Sequence, residues 1–217
     1  MNRNAPLRPL ALGLALAALL AGTHPAAPEE PTAPTAAAGP VYNVEILVFR
    51  ALTALGGAEN WSAEAGEHSI AGEESASGAA QVGHFVALLP SSAWQLTELE
   101  GRLRASGTYL PVGHAAWSQT ASSWGTRAGF AVQRLGINVP GLSGTVFLEH
   151  GQFLHLGMSL SYSMAAPPEG LGAGADTSFT LNQSRRVRFY ERSYFDHPAF
   201  GVIALVTPSQ GQRPPGR

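Results

Sequence analysis

The sequence predicts an α+β fold: a single domain with a mainly antiparallel β-sheet and one principal helix packed on a face. Three observations lead there. Strand patterns outnumber helical ones along the chain. Several strands follow one another across tight turns, with no regular strand–helix alternation of the kind a parallel sheet needs. Only one segment, residues 93–106, repeats leucine at helical spacing.

The elements follow in order. Residues 1–27 read as a secretory signal peptide: Arg3 and Arg8 precede the apolar run Leu10 to Gly22, and small residues come next. That run is shorter than the ~20 apolar residues that span a bilayer, so no membrane span is expected after cleavage. Leu19 to Gly22 begins like a lipoprotein box, but Thr23 stands where the lipid-bearing Cys would be. Residues 28–40 are a Pro/Ala-rich linker. The domain is expected over 41–208, with a disordered tail at 209–217.

Within the domain, Tyr42 to Arg50 alternates as a strand. Val44, Ile46 and Val48 share one face, and Glu45, Leu47 and Phe49 the other. Residues 51–80 lose all pattern and read as a long loop, and 82–89 recover a short strand. In the helix, Ser92 and Gln95 suit a capping box, Leu96, Leu99 and Leu103 form an apolar stripe, and Gly107 suits the C-terminal cap. Leu110 to Gln119 is a strand in which Pro111 marks an edge or a start. Residues 120–140 are loop with a strand near 131–138. Residues 144–149 and 152–163 form a hairpin across His150-Gly151. Pro167 to Asp176 is loop, Gln183 to Tyr194 a strand, and Gly201 to Thr207 the last strand.

Composition removes several functional classes. Thirteen basic residues, all Arg, face 15 acidic ones, a formal net charge of -2. A nucleic-acid binder needs a basic excess to neutralise phosphates, so none is expected as a partner. With no cysteine, disulfides, thiolate metal sites and thiol nucleophiles are excluded. No Walker loop or dinucleotide fingerprint occurs, and no cofactor or metal is expected.

Few residues invite a chemical role. Asp196-His197, with Ser184 or Ser193, suggests a hydrolase, but neither serine lies on a glycine-flanked elbow. A turn is the stronger reading, with Asp196 bonded to its own backbone and His197 held extended by Pro198. His150 and His155, with Glu149 or His114, lack a diagnostic metal spacing, and His155 reads as a hydrogen-bonded strand histidine. More informative is the run Arg185 to Arg192. Strand alternation places Arg186, Arg188, Tyr190 and Arg192 on one face, and Arg185, Val187, Phe189 and Glu191 on the other. Guanidinium groups beside an aromatic ring suit a carboxylate-rich ligand with apolar surfaces, such as peptidoglycan. A solvated face with arginines paired to Glu45, Glu149 or Glu191 is the alternative. Trp94, Trp117 and Trp124 are sugar-stacking candidates, although Trp117 shares a strand face with Ala115 and should point inward.

Four segments taken in order resemble the CsiV family of periplasmic proteins. They are YNVEILVFR at 42–50 with Trp61; LTELEGRLRASGTYLPVGHAAWSQ at 96–119, containing His-x-x-Trp-x-Gln; LSGTVFLEHGQFLHLGMSLSY at 142–162; and FTLNQSRRVRFYERSYFDHPAFGVIALVTP at 179–208. The chain departs from the family at Gly157 and Ser159, where more acidic or polar residues are expected, and over 54–80.

The resemblance implies a non-catalytic periplasmic protein that binds peptidoglycan. It implies a partner too, the lipoprotein activator of a class A penicillin-binding protein. The shared motif positions nominate His114, Trp117, Gln119, Arg185, Arg186 and Arg188, then Tyr194, Asp196 and His197; Tyr190 and Arg192 join them from the arginine row. The alternative is a periplasmic adaptor that contacts the wall-synthesis machinery without binding peptidoglycan directly, through the 51–80 loop and the linker. A hydrolase using Asp196 and His197 ranks third.

Overall fold

Strand β1, Val41–Ala51, organises the molecule because both its faces are apolar and both are buried. In the computed structural model, residues 39–53 and 81–209 are described. The chain divides into two units, Met1–Ala36 and Ala37–Arg217, and the first lies outside the described residues. The expected signal, almost all of the linker, the loop over 54–80 with Trp61, and the tail beyond Ser209 lie outside them as well.

β1 lies at the centre of a five-stranded antiparallel sheet. Its neighbours are β3, Tyr109–Thr120, and the last strand, β10, Phe200–Pro208. The short strands β2, Phe85–Leu88, and β9, Arg192–Asp196, close the two edges, giving the order β2-β3-β1-β10-β9. Pro111 sits where the β1–β3 register shifts, beyond the reach of β2, so its missing N–H leaves no ladder position empty.

A second sheet has the order β4-β6-β7-β8: β4, Ser122–Ser123; β6, Leu142–His150; β7, Leu154–Met164; β8, Thr177–Arg186. Strand β5, Phe130–Ala131, pairs with β6. All pairings are antiparallel except β4–β6. The two sheets share one core. Val44, Ile46 and Val48 from the first meet Leu148, Leu156, Met158 and Leu160 from the second, and Tyr162 of β7 packs edge-on against Phe200 of β10 at 5.6 Å. Burying each such aliphatic side chain contributes about 1.5–3 kcal/mol.

The helix α1, Thr97–Ala105, covers the other face of the first sheet. Leu96, Leu99 and Leu103 pack on Leu47, Ile203 and Leu205, so the leucine stripe is a docking surface as the spacing predicts. Gly107 (φ 68°) follows the helix in the left-handed conformation expected at its C-terminal cap.

The mainly antiparallel strands and the one α-helix among the described residues are as expected, and the strands divide into two sheets, because β6–β8 pair among themselves and bury one face against the first. Three sequence expectations need correction. The helix starts at Thr97 after a separate 3-10 turn over Ser91–Ala93, with no side-chain cap from Ser92. Residues 132–135 turn, with Leu135 N–H bonded to Val132 O, so the strand near 131–138 is cut to β5, Phe130–Ala131. The strand expected over 183–194 is two strands in different sheets. β8 ends at Arg186, and the chain crosses to β9 with Tyr190 at φ 63°.

Candidate functional site

The crossover from β8 to β9 carries Arg188 and is flanked by Arg186 and Arg192, and backbone bonds fix it at both ends. Val187 N–H donates to Leu154 O at 2.9 Å and Tyr190 N–H to Val206 O at 3.1 Å, one in each sheet. Val187 is buried and Phe189 stacks on Tyr42 at 5.9 Å. Those apolar anchors leave Arg186, Arg188 and Tyr190 exposed, and Tyr190 is 68% accessible.

The arginine row does not form one face. Arg186 pairs in register with His155, on the outer face of the second sheet. Its guanidinium lies over the Phe153 ring, 3.4 Å from the centroid. Arg188 pairs with Glu191 at 3.7 Å on the crossover. Arg192 and Tyr194 belong to β9 and pair with Leu205 and Ile203, on the helix side of the first sheet. Tyr194 stacks on Phe49 at 6.1 Å, and burial holds its phenol above the ordinary value.

Arg185 acts at the seam between the sheets. It lies 3.5 Å from Asp196 and over the Phe195 ring at 5.7 Å. Gln183 Nε2 donates to Asp196 O at 2.9 Å across the same seam. Asp196 is thus engaged by Arg185, and the expected bond to its own backbone is replaced. The turn that follows is tight: His197 and Phe200 exchange backbone hydrogen bonds of 2.9 and 3.1 Å, and Ala199 N–H donates to His197 Nδ1 at 3.1 Å. Burial depresses the His197 pKa and outweighs the nearby Asp196 charge. The turn reading of this motif stands, with histidine rather than aspartate bonding the backbone.

The other three nominated residues are interior. Trp117 is 0% exposed, and its indole N–H donates to Gln119 Oε1 at 2.6 Å, with Gln119 itself 2% exposed. A polymer in solvent reaches neither. His114 lies beneath α1, its Nε2 2.8 Å from Glu45 Oε1 and its Nδ1 2.8 Å from Glu100 Oε2, with the Trp94 ring tilted against it at 4.2 Å. Both ring nitrogens are therefore committed. Burial alone would lower the His114 pKa, but the hydrogen bonds and charges of Glu45 and Glu100 raise it overall. Glu45 mirrors this. Burial alone would raise it, but His114 and the backbone N–H groups of Gln95 and Leu96 hold it below the ordinary carboxylate value. Among the described residues, no cluster of His, Asp or Glu could hold a metal ion.

A cavity of about 350 Å³ opens beside α1, over Asn43, Gln95, Ser118, Leu205 and Thr207. Asn43 and Ser118 are bonded to each other at 2.7 Å in its floor. Residues 10–209 match the family described as "Peptidoglycan-binding protein, CsiV". The chain belongs to the CsiV family. No curated protein and no solved structure matches it.

In this CsiV chain the nominated residues therefore divide into three sets. Arg186, Arg188, Tyr190, Arg192 and Tyr194 are surface groups spread over the crossover and both sheets. Arg185, Asp196 and His197 fasten the seam and its turn. His114, Trp117 and Gln119 stabilise the interior. Sequence reasoning missed Phe153, which is 39% exposed beneath Arg186. It named Trp124, 50% exposed, without linking it to His155, whose ring lies 4.3 Å away. The one available signal was Phe153 itself, an aromatic next to the His150-Gly151 turn.

Proposed function

We propose that this protein is a non-catalytic, periplasmic accessory factor of cell-wall synthesis. It binds peptidoglycan, and it acts with the lipoprotein activator of a class A penicillin-binding protein. The observation that carries the reading is the exposed crossover: Arg188 and Tyr190 protrude where the chain passes between sheets, with exposed Arg186 at its β8 end and exposed Arg192 at its β9 end. Among the described residues, Arg186 and Arg192 make no ion pair. Guanidinium forks at such a place suit the carboxylates of stem peptides, which they bind bidentately. Family membership supports the wall ligand, the leader-like sequence over 1–27 supports export, and the resemblance supports the partner. A non-catalytic role is supported by Asp196 pairing with Arg185 and by His197 Nδ1 accepting the Ala199 N–H within the turn.

The test is co-sedimentation of the purified chain, lacking residues 1–27, with isolated sacculi across a salt series. Saturable binding that weakens with salt is expected, because exposed carboxylate contacts are screened. Absence of binding at low salt would replace this reading with that of an adaptor, for which the lipoprotein would be the binding partner.

A further inference from the structure

We propose that the outer face of the second sheet is a glycan platform, entered at Trp124, that takes the uncharged sugar rings of a wall glycan strand. The proposal rests on the peptidoglycan reading above and adds the site and the component bound.

The face has two parts. At one end, aromatic groups run across the strands. Trp124 follows β4 and packs against His155 of β7, and Phe153 in the β6–β7 turn lies under the Arg186 guanidinium of β8. Next to them is the row Phe147 opposite Gly157 opposite Ser184, in which the buried Phe147 ring lies over Gly157. Beyond it the cross-strand rows are small and polar: Thr145 opposite Ser159 opposite Asn182, then Ser143 opposite Ser161 opposite Thr180. Along β7 from His155 to Ser161 the whole face, aromatic end included, runs about 20 Å at the rise of a strand. It carries hydroxyl and amide groups that both donate and accept, and no side-chain charge until Arg186.

The presentation of Trp124 is built, not incidental. Its loop is tied down by a buried carboxylate: Glu149, 2% exposed, accepts the Arg127 N–H. Arg127 holds φ 47°, a conformation unfavourable for a residue with a side chain. Thr126 Oγ1 donates to Ser123 O at 2.6 Å. Gly151 lies against the Trp124 side chain, where an added Cβ would stand 3.1 Å from the Trp124 Cβ. A half-exposed indole on a loop held by a buried acid, beside a hydroxyl-bearing sheet, matches a ligand with apolar C–H faces and equatorial hydroxyls. A protein partner would favour a contiguous apolar patch, which this face lacks. Arg186 at the boundary joins the platform to the cationic crossover. The neutral sugars would lie on the sheet, and the carboxyl groups they carry would meet the arginines.

The test measures binding of the purified chain, Trp124→Ala and Trp124→Phe to three probes: intact sacculi, glycan strands stripped of peptide by an amidase, and the released stem peptides. Wild type should bind stripped strands. Trp124→Ala should lose on the order of tenfold in affinity for them, and Trp124→Phe should recover part of it. Binding of stem peptides should be unchanged in both variants. Thermal melts matching wild type show that the exposed substitution left the fold intact. If wild type binds sacculi but not stripped strands, or if Trp124→Ala binds stripped strands as wild type does, the platform is overturned and the peptidoglycan reading survives. If Trp124→Ala changes only self-association in sedimentation velocity, the face joins copies of this chain and the platform is likewise overturned. If wild type binds none of the three probes, the peptidoglycan reading falls and the platform with it.

Discussion

Glu45 and His114 form a 2.8 Å hydrogen-bonded pair buried between the first sheet and α1, and the same carboxylate accepts the N–H groups of Gln95 and Leu96 just ahead of the helix. One side chain thus fixes where the helix begins and which strand it sits on. Removing it would strand a buried imidazole and two N–H donors together, so the pair belongs to the stability of the fold.

Its titration gives a pH signature. The raised His114 pKa contributes stability that is fully present below the ordinary 6.5 and is lost as pH climbs through the folded value. The lowered Glu45 pKa contributes stability present above 4.5 and lost as pH falls through its folded value. His197, depressed by burial, adds a further loss as pH drops below 6.5. Melting temperature should therefore fall on the alkaline side of about pH 6.5, and His114→Gln should flatten that limb. Thermal melts of both proteins from about pH 5 to 9 check it; equal alkaline slopes would remove His114 as the cause.

Trp117→Ala should destabilise by about 3–5 kcal/mol, the range for deleting a large core aromatic. Gln119 would also lose its indole donor. Trp117→Phe should be milder yet still unfavourable, because it keeps one aromatic ring but leaves a smaller void and the glutamine oxygen unpaired. Urea unfolding measures both. A loss under 1 kcal/mol for the alanine variant would contradict its placement in the core.

Gly157 permits a close approach: an added Cβ would stand within 2.3 Å of the Phe147 ring. Gly157→Ala should therefore cost about 1–3 kcal/mol through overpacking. Phe147→Leu should reduce that penalty, and a double-mutant cycle reads the coupling directly. Strict additivity would show that the two residues do not meet.

Arg186→Glu with Arg188→Glu should sharply weaken sacculus binding without changing the melting temperature, since both side chains are exposed and their pairings are surface ones. Arg185→Ala should lower stability slightly, by about 0–1 kcal/mol, through the half-exposed Asp196 contact. Co-sedimentation and calorimetry separate the two effects. Undiminished binding by the double reversal would move the ligand away from the crossover.

Local patterns in the sequence led to the right elements wherever the causes were local. The two apolar faces of β1, the leucine stripe of α1, the Gly107 cap and the inward Trp117 all follow from alternation or helical spacing. The helix start did not, because its cap is Glu45, which lies 51 residues from Leu96. The Arg185–Arg192 row failed for a related reason. Val187 and Phe189 keep alternating inward, so the pattern continues through a point where the backbone leaves one sheet for the other. Alternation reports which side chains are buried, and two sheets sharing one core make that record look like a single strand. The grouping of Trp124 with His155 and Phe153 with Arg186 depends on pairing register, which spacing does not encode.

The central position of β1 also sets the order of assembly. Tyr42 pairs with Pro208 and Arg50 with Phe200, so the strand that opens the described domain is completed by the strand that closes it. The β6–β7–β8 meander can zip from neighbouring segments, but the first sheet waits for the last residues to arrive. Such non-local closure belongs to the slow regime, on the order of milliseconds to seconds. A chain emerging N-terminus first keeps an open edge on β1 until β10 is delivered. Loss of the final strand, by a late stop codon or a nick, would leave that edge as a template for aggregation.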